Sequence, residues 1–175
     1  VTSKKIKDLD RPVPVNSEST FNYDELFFSL TDLKSHITFA NEIFVRISKY
    51  DESEIMGQLH KVIRHPDMPR AVFEIFWDLL KANKPVAAYV KNLAKDGSYY
   101  WVMALAMPSK GGYQSVRLKP GSPLFKTVQD LYKDVLEYEQ QTEATSDRKT
   151  AIQAAVVYLN KKLEELGYKD YSDFM

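Results

Sequence analysis

GQLHKVIRHPDMPRAVFEIFWDLLKANKP, residues Gly57–Pro85, runs from a charged loop straight into an apolar helix. Pro66 and Pro69 stiffen the loop that carries Arg64, His65 and Asp67. From Met68 to about Asn83, the spacing of Val72, Phe73, Phe76, Trp77, Leu79 and Leu80 predicts a helix with a broad apolar stripe, stopped by ANKP. So wide a stripe needs a surface to lie on, and the next residues supply one. Val86–Leu93, Tyr99–Met107 and Tyr113–Leu118 read as three strands, joined by the turns KDGS and PSKGG. In the middle strand, Tyr100 falls on the opposite face from Tyr99 and Trp101.

Upstream, residues 1–24 read as a polar lead-in with Pro12 and Pro14 and little share of the core. Leu26–Leu30 and His36–Phe39 form a hairpin about the turn TDLKS. Two short helices follow, Asn41–Tyr50 with Asn41 as its cap and Asp51–Gly57 closed by the glycine. The order is therefore β-β-α-α-α-β-β-β, over residues 25–120. Beyond it, residues 121–175 change character. Leu124, Val128, Leu131, Tyr132, Val135 and Leu136 make one helical stripe, and Ile152, Ala155, Val156, Leu159, Leu163 and Leu166 make another, with TEATS between them. A helical hairpin cannot bury both stripes by itself, so it must pack on the sheet, on a second copy or on a further segment.

Composition excludes several functions. Lys+Arg and Asp+Glu are equal at 24 each in 175 residues, so no global field attracts nucleic acid or an anionic membrane. Within that balance, residues 1–120 hold 17 basic and 14 acidic side chains, and residues 121–175 hold 7 and 10. The absence of cysteine removes disulfides, thiolate metal sites and cysteine nucleophiles, and it fits a reducing compartment. No apolar run approaches the ~20 residues of a membrane span. Neither a Gly-rich phosphate loop nor a Ser–His–acid set nor a metal-ligand spacing is present, so a non-enzyme is expected. A chain running from Val1 to Met175 reads as a piece of a longer protein.

Three motifs in order, the Gly57–Pro85 stretch, VKNLAKDGSYYWV and GGYQSVRLKP, resemble the PAS domains of bacterial aerotaxis and chemotaxis receptors, over roughly residues 25–120. The resemblance implies an α+β fold: a five-stranded antiparallel sheet with short helices and one long helix enclosing a ligand cavity. It also implies a cytoplasmic sensor that binds FAD non-covalently and signals to a methyl-accepting domain of the same receptor, as a homodimer. By matching positions, Arg64, His65 and Asp67 fall on residues implicated in flavin binding, Trp77 on an aromatic linked to flavin retention, and Asn92 on a comparable place at the sheet. Arg64, His65, Asp67 and Trp77 are accordingly expected to converge on one cavity.

The chain also departs from flavin-binding relatives. Where their pattern reads P-W-x-G-I-V-K-N-R-R-K, this sequence reads PVAAYVKNLAK, with Val86 for the Trp and Leu93 and Ala94 for two Arg. Other readings stay open beside FAD. Haem would need His36, His60 or His65 as its axial ligand. A cofactorless PAS domain would serve dimerisation and relay alone. At residue level, Asp67 and His65 could simply cap a helix beginning at Met68, and Phe73, Phe76 and Trp77 could be core packing.

Overall fold

The computed structural model describes residues 9–175. Strands β1 (Phe27–Asp32) and β2 (Ile37–Ala40) form the first hairpin. Helices α1 (Glu42–Ser48) and α2 (Glu52–Ile55), then a 3-10 turn (His60–Ile63), lead to α3 (Arg70–Lys81). Strands β3 (Val86–Leu93), β4 (Tyr99–Ser109) and β5 (Gly112–Leu118) precede α4 (Leu124–Glu143), α5 (Arg148–Glu165) and the short α6 (Tyr171–Phe174). The sheet has five strands in the order β2-β1-β5-β4-β3, with every neighbouring pair antiparallel. Pairing of β1 with β5 draws the ends of the domain together at its centre, setting Phe27 opposite Arg117 and Ser29 opposite Ser115.

Alternation along the strands divides the sheet into two faces. Phe27, Ile37, Ala88, Tyr100 and Val102 are buried on the inner face, where Phe44 and Ile47 of α1 join them. Tyr100 thus points inward, opposite its neighbours, as the alternation predicts. On the outer face, Phe125 of α4 stacks on Tyr89 at 5.4 Å and meets Trp101 edge-on at 5.3 Å. The helical tail therefore packs on its own sheet. Its second helix buries Ala155, Leu159 and Leu163 of the expected stripe together with Ala151, keeps Ile152 and Val156 half-buried, and leaves Leu166 exposed. Leu166 lies past the end of α5, where Gly167 turns the chain at φ 91°. The unexpected α6 ties the tail down through Tyr171, whose hydroxyl meets that of Tyr132 in the core.

Two local expectations change. The long helix begins at Arg70, two residues later than the periodicity predicts, and neither His65 nor Asp67 caps it. Pro69 stands at the cap position with no side chain to offer. Instead Glu139 of α4 accepts the backbone N–H groups of Arg70 at 3.3 Å and Ala71 at 3.0 Å. The lead-in also contributes more than its polarity suggests. Its backbone joins the chain around β4, with Ser19 N–H donating to Tyr99 O at 2.7 Å, and Phe21 is buried against Phe27 with ring centroids 4.8 Å apart.

Candidate functional site

Between the inner face and α3 lies a cavity of about 280 Å³. The alternation that buries Phe27 also turns Ser29 and Thr31 of β1, Val90 and Asn92 of β3, and Ser115 and Arg117 of β5 toward this space. From the other side, α3 supplies Phe73, Phe76 and Trp77 as an aromatic wall. The wall is braced by edge contacts, Phe76 to Trp77 at 6.0 Å and Trp77 to Tyr113 at 5.4 Å. Lys61, Arg64 and Arg117 line the cavity, and among the described residues no carboxylate does.

Of the five residues expected at the site, the structure brings three together. Arg64 lies beside the aromatic wall with its guanidinium 4.0 Å from the centre of the Phe73 ring. Burial pulls its pKa down to about 10, so it stays a cation at neutral pH. Asn92, only 3% exposed, bridges through its backbone to Arg64, and its side-chain Nδ2 has no hydrogen-bond partner among the described residues. Thr31 Oγ1 is unpartnered as well. Trp77 completes the set.

His65 and Asp67 do not line the cavity, which corrects the expected convergence of the whole loop. His65 is buried behind it, packed edge-on to Tyr99 at 6.2 Å, and its Nδ1 accepts the Asp67 N–H at 3.1 Å. Burial, reinforced by the nearby Lys91 cation, lowers its pKa to about 4, so the ring is neutral. Asp67 sits on the surface in an ion pair of 2.6 Å with Lys91 of β3. The His65 N–H donates to Lys91 O at 3.3 Å, so both residues fasten the loop to β3 and thereby fix the neighbouring Arg64. They act on the site at one remove.

Sequence reasoning missed Arg117 and named His60 only as a candidate haem ligand. Arg117 is 4% exposed, donating through Nη1 to Ser29 Oγ at 3.0 Å and through Nη2 to His60 Nε2 at 2.6 Å. Burial lowers its pKa to about 10, which still leaves it charged at neutral pH. His60 is driven down to about 3, by burial first and by the Arg117 charge second, so it is a neutral acceptor. This matters for the haem reading. His60 is the histidine that lines the cavity, and it already lends Nε2 to Arg117. His36 sits at a turn, half-exposed and bonded to Asp32 at 2.9 Å. The available signal for Arg117 was its register, since Tyr113, Ser115 and Arg117 alternate along one strand toward a single face.

Comparison with known proteins agrees with this geometry. Residues 37–117 match the PAS fold family. The chain is 43% identical over 115 residues to the aerotaxis receptor of Escherichia coli (strain K12), which covers 63% of this chain and 23% of that protein. It is 29% identical over 106 residues to a nitrogen fixation regulatory protein of Klebsiella pneumoniae, covering 54% of this chain and 21% of the relative. It thus spans less than a quarter of the length of either. Among solved structures, the light-state LOV domain of the blue-light photoreceptor Aureochrome1 superposes with a TM-score of 0.51 at 23% identity, over 59% of this chain and 88% of that one. A PAS domain from Colwellia psychrerythraea gives a TM-score of 0.50 at 17% identity, over 54% of this chain and 86% of its own. These two likenesses concern the fold. With the antiparallel sheet, the cavity and the helix that roofs it, residues 37–117 have the PAS fold.

Proposed function

We propose that the chain is the non-catalytic sensing module of a cytoplasmic signal-transduction receptor of the aerotaxis type, holding FAD non-covalently in the cavity between α3 and the sheet. The observation that carries this reading is the lining itself, which among the described residues has three cations and no carboxylate, an aromatic wall, and the unpartnered Asn92 Nδ2. A buried polar atom without a partner carries a standing cost of about 1–3 kcal/mol, which a ligand acceptor would relieve. FAD, when bound, would supply a ring whose electron content follows its redox surroundings. The chain's own residues divide the remaining work. Asn92 would hold the polar edge of the ring, Phe73 and Trp77 would exclude water from its face, and Arg64 would meet the phosphates. A cavity of about 280 Å³ suits the ring and leaves the rest of a dinucleotide to run along the loop.

Relay to a downstream methyl-accepting domain, in a homodimer, belongs to the same proposal. Strand β5 leads through Pro120 into α4, and α4 returns Glu139 to the start of α3, the helix that roofs the cavity. Ligand-driven movement of either element would reach α4 directly. Among the described residues no helix is long and apolar enough to cross a membrane.

One observation favours a cofactor-free relay as the second reading. Val86 stands where flavin-binding relatives have a Trp, and it is buried in a small cluster with Leu80 and Ala106 at one side of the wall. Visible absorbance separates the two. A purified chain with a flavin spectrum, lost in Asn92→Ala and Trp77→Phe while far-ultraviolet circular dichroism is unchanged, fits the FAD reading. A colourless chain that takes up no FAD on incubation overturns it.

A further inference from the structure

Arg117 is a buried cation without an anion among the described residues. Its side chain donates to one neutral hydroxyl and one neutral imidazole, and its guanidinium lies 5.5 Å from the centre of the Phe44 ring. Among the described residues no carboxylate pairs with it. A guanidinium has five N–H donors, and the two bonds to Ser29 and His60 leave donors to spare. Burying such a charge unpaired is costly, and a structural role would be served as well by a neutral side chain. The surroundings are built to keep the charge. His60 is held neutral with Nε2 toward the guanidinium, and Ser29 offers an oxygen. The open side of the group is the cavity, where Asn92 Nδ2 is also unpartnered.

We infer that Arg117 takes its counter-charge from the ligand, so that the inner end of the cavity selects a ring compound with an anionic or strongly accepting oxygen edge, a carbonyl, carboxylate or enolate. The inference rests on the cavity holding a ring ligand, and it names the group that reads that ligand's charge. Asn92 and Arg117 together form the polar end of the site, and the α3 aromatics form the apolar side.

The test uses the full chain and the variants Arg117→Met and Arg117→Lys, with two measurements: thermal unfolding without added ligand, and titration with FAD followed by flavin fluorescence. Removing a charge-assisted hydrogen bond to a ligand should weaken FAD binding about tenfold or more in Arg117→Met, with partial recovery in Arg117→Lys. The ligand-free Tm of Arg117→Met should equal or exceed that of the parent. A clear fall in that Tm would make Arg117 a structural residue and overturn the inference. FAD affinity equal to the parent's in Arg117→Met would overturn it while leaving the flavin reading in place. If the parent binds no FAD, the flavin reading falls, and benzoate against benzamide, followed by Trp fluorescence, decides the rest. A benzoate preference in the parent that vanishes in Arg117→Met sustains the charge-reading role, and absence of any preference ends it.

Discussion

Glu139 joins the helical tail to the roof of the cavity, and its replacement by alanine is the sharpest test of that joint. Its carboxylate is 0% exposed and receives three donors: Arg70 Nε at 2.6 Å and the N–H groups of Arg70 and Ala71. Two of these are amides that α3 leaves free at its start, where Pro69 provides no cap. Truncation would strand both amides and the Arg70 guanidinium together. Removing one partner of a buried ion pair costs about 3–5 kcal/mol. Because Arg70 keeps some solvent contact and a second carboxylate, Glu143, the lower end applies, about 3 kcal/mol. For a chain of this size, that is a fall in Tm of about 6–12 °C. The assay is thermal unfolding by circular dichroism for Glu139→Ala and, as the control, Glu143→Gln, whose partly exposed carboxylate should matter much less. The pair Arg70→Met with Glu139→Leu removes both charges but still leaves the two amides without their acceptor, so it should recover only the part of the loss that comes from the stranded guanidinium. A Glu139→Ala Tm within about 2 °C of the parent would show that the tail does not hold α3, and the relay drawn through this contact would fall with it.

Three further outcomes follow from the geometry. Gly97 has φ +87°, and a Cβ there would meet Val13 O at 2.2 Å, so Gly97→Ala should lower the urea midpoint by the equivalent of about 1–3 kcal/mol; an unchanged midpoint would contradict the contact with the lead-in. His60 and His65 have pKa values lowered to about 3 and about 4, chiefly by burial, against an ordinary 6.5. The unfolded chain therefore binds protons that the folded chain refuses once the pH drops below about 6.5, and stability should fall from pH 6.5 toward pH 5, above the range where most carboxylates titrate. His60→Gln should flatten that slope, and an equally steep fall in the variant would assign it elsewhere. Truncation after Pro120 should uncover Tyr89 and Trp101, read as increased binding of an apolar dye and as self-association in sedimentation; a monomer with unchanged dye binding would refute the packing described for α4.

The fold was legible because its strongest signals are local. The β-prone runs Val86–Leu93 and Tyr99–Met107, the KDGS turn and the apolar stripe of α3 each depend on residues close in sequence, and the order of elements along the chain followed from them. What escaped depended on long-range contact. The start of α3 is set by Glu139, 69 residues downstream of Arg70, so Asp67 was a plausible cap that the fold did not use. Phe21 lies in a polar segment whose place is decided by backbone pairing with the β4 region, which composition does not report.

The site divides along the same line. Arg64, Trp77 and Asn92 came from the resemblance, by matching positions, and the structure places all three on the cavity. His65 and Asp67 belong to the same motif yet hold the loop from behind, through Lys91, because the turn between Pro66 and Pro69 directs them toward β3. Motif membership therefore mixes residues that could touch a ligand with residues that position those that could. Arg117 is the converse: outside the loop motif, in a strand that reads as ordinary sheet, and unremarkable until β5 is set beside β1 and its register turns inward. An exposed arginine there would mean nothing. Buried opposite Phe27, bonded among the described residues only to Ser29 and His60, and open to a space that none of their carboxylates lines, it is a charge whose natural partner is a ligand acceptor rather than the protein.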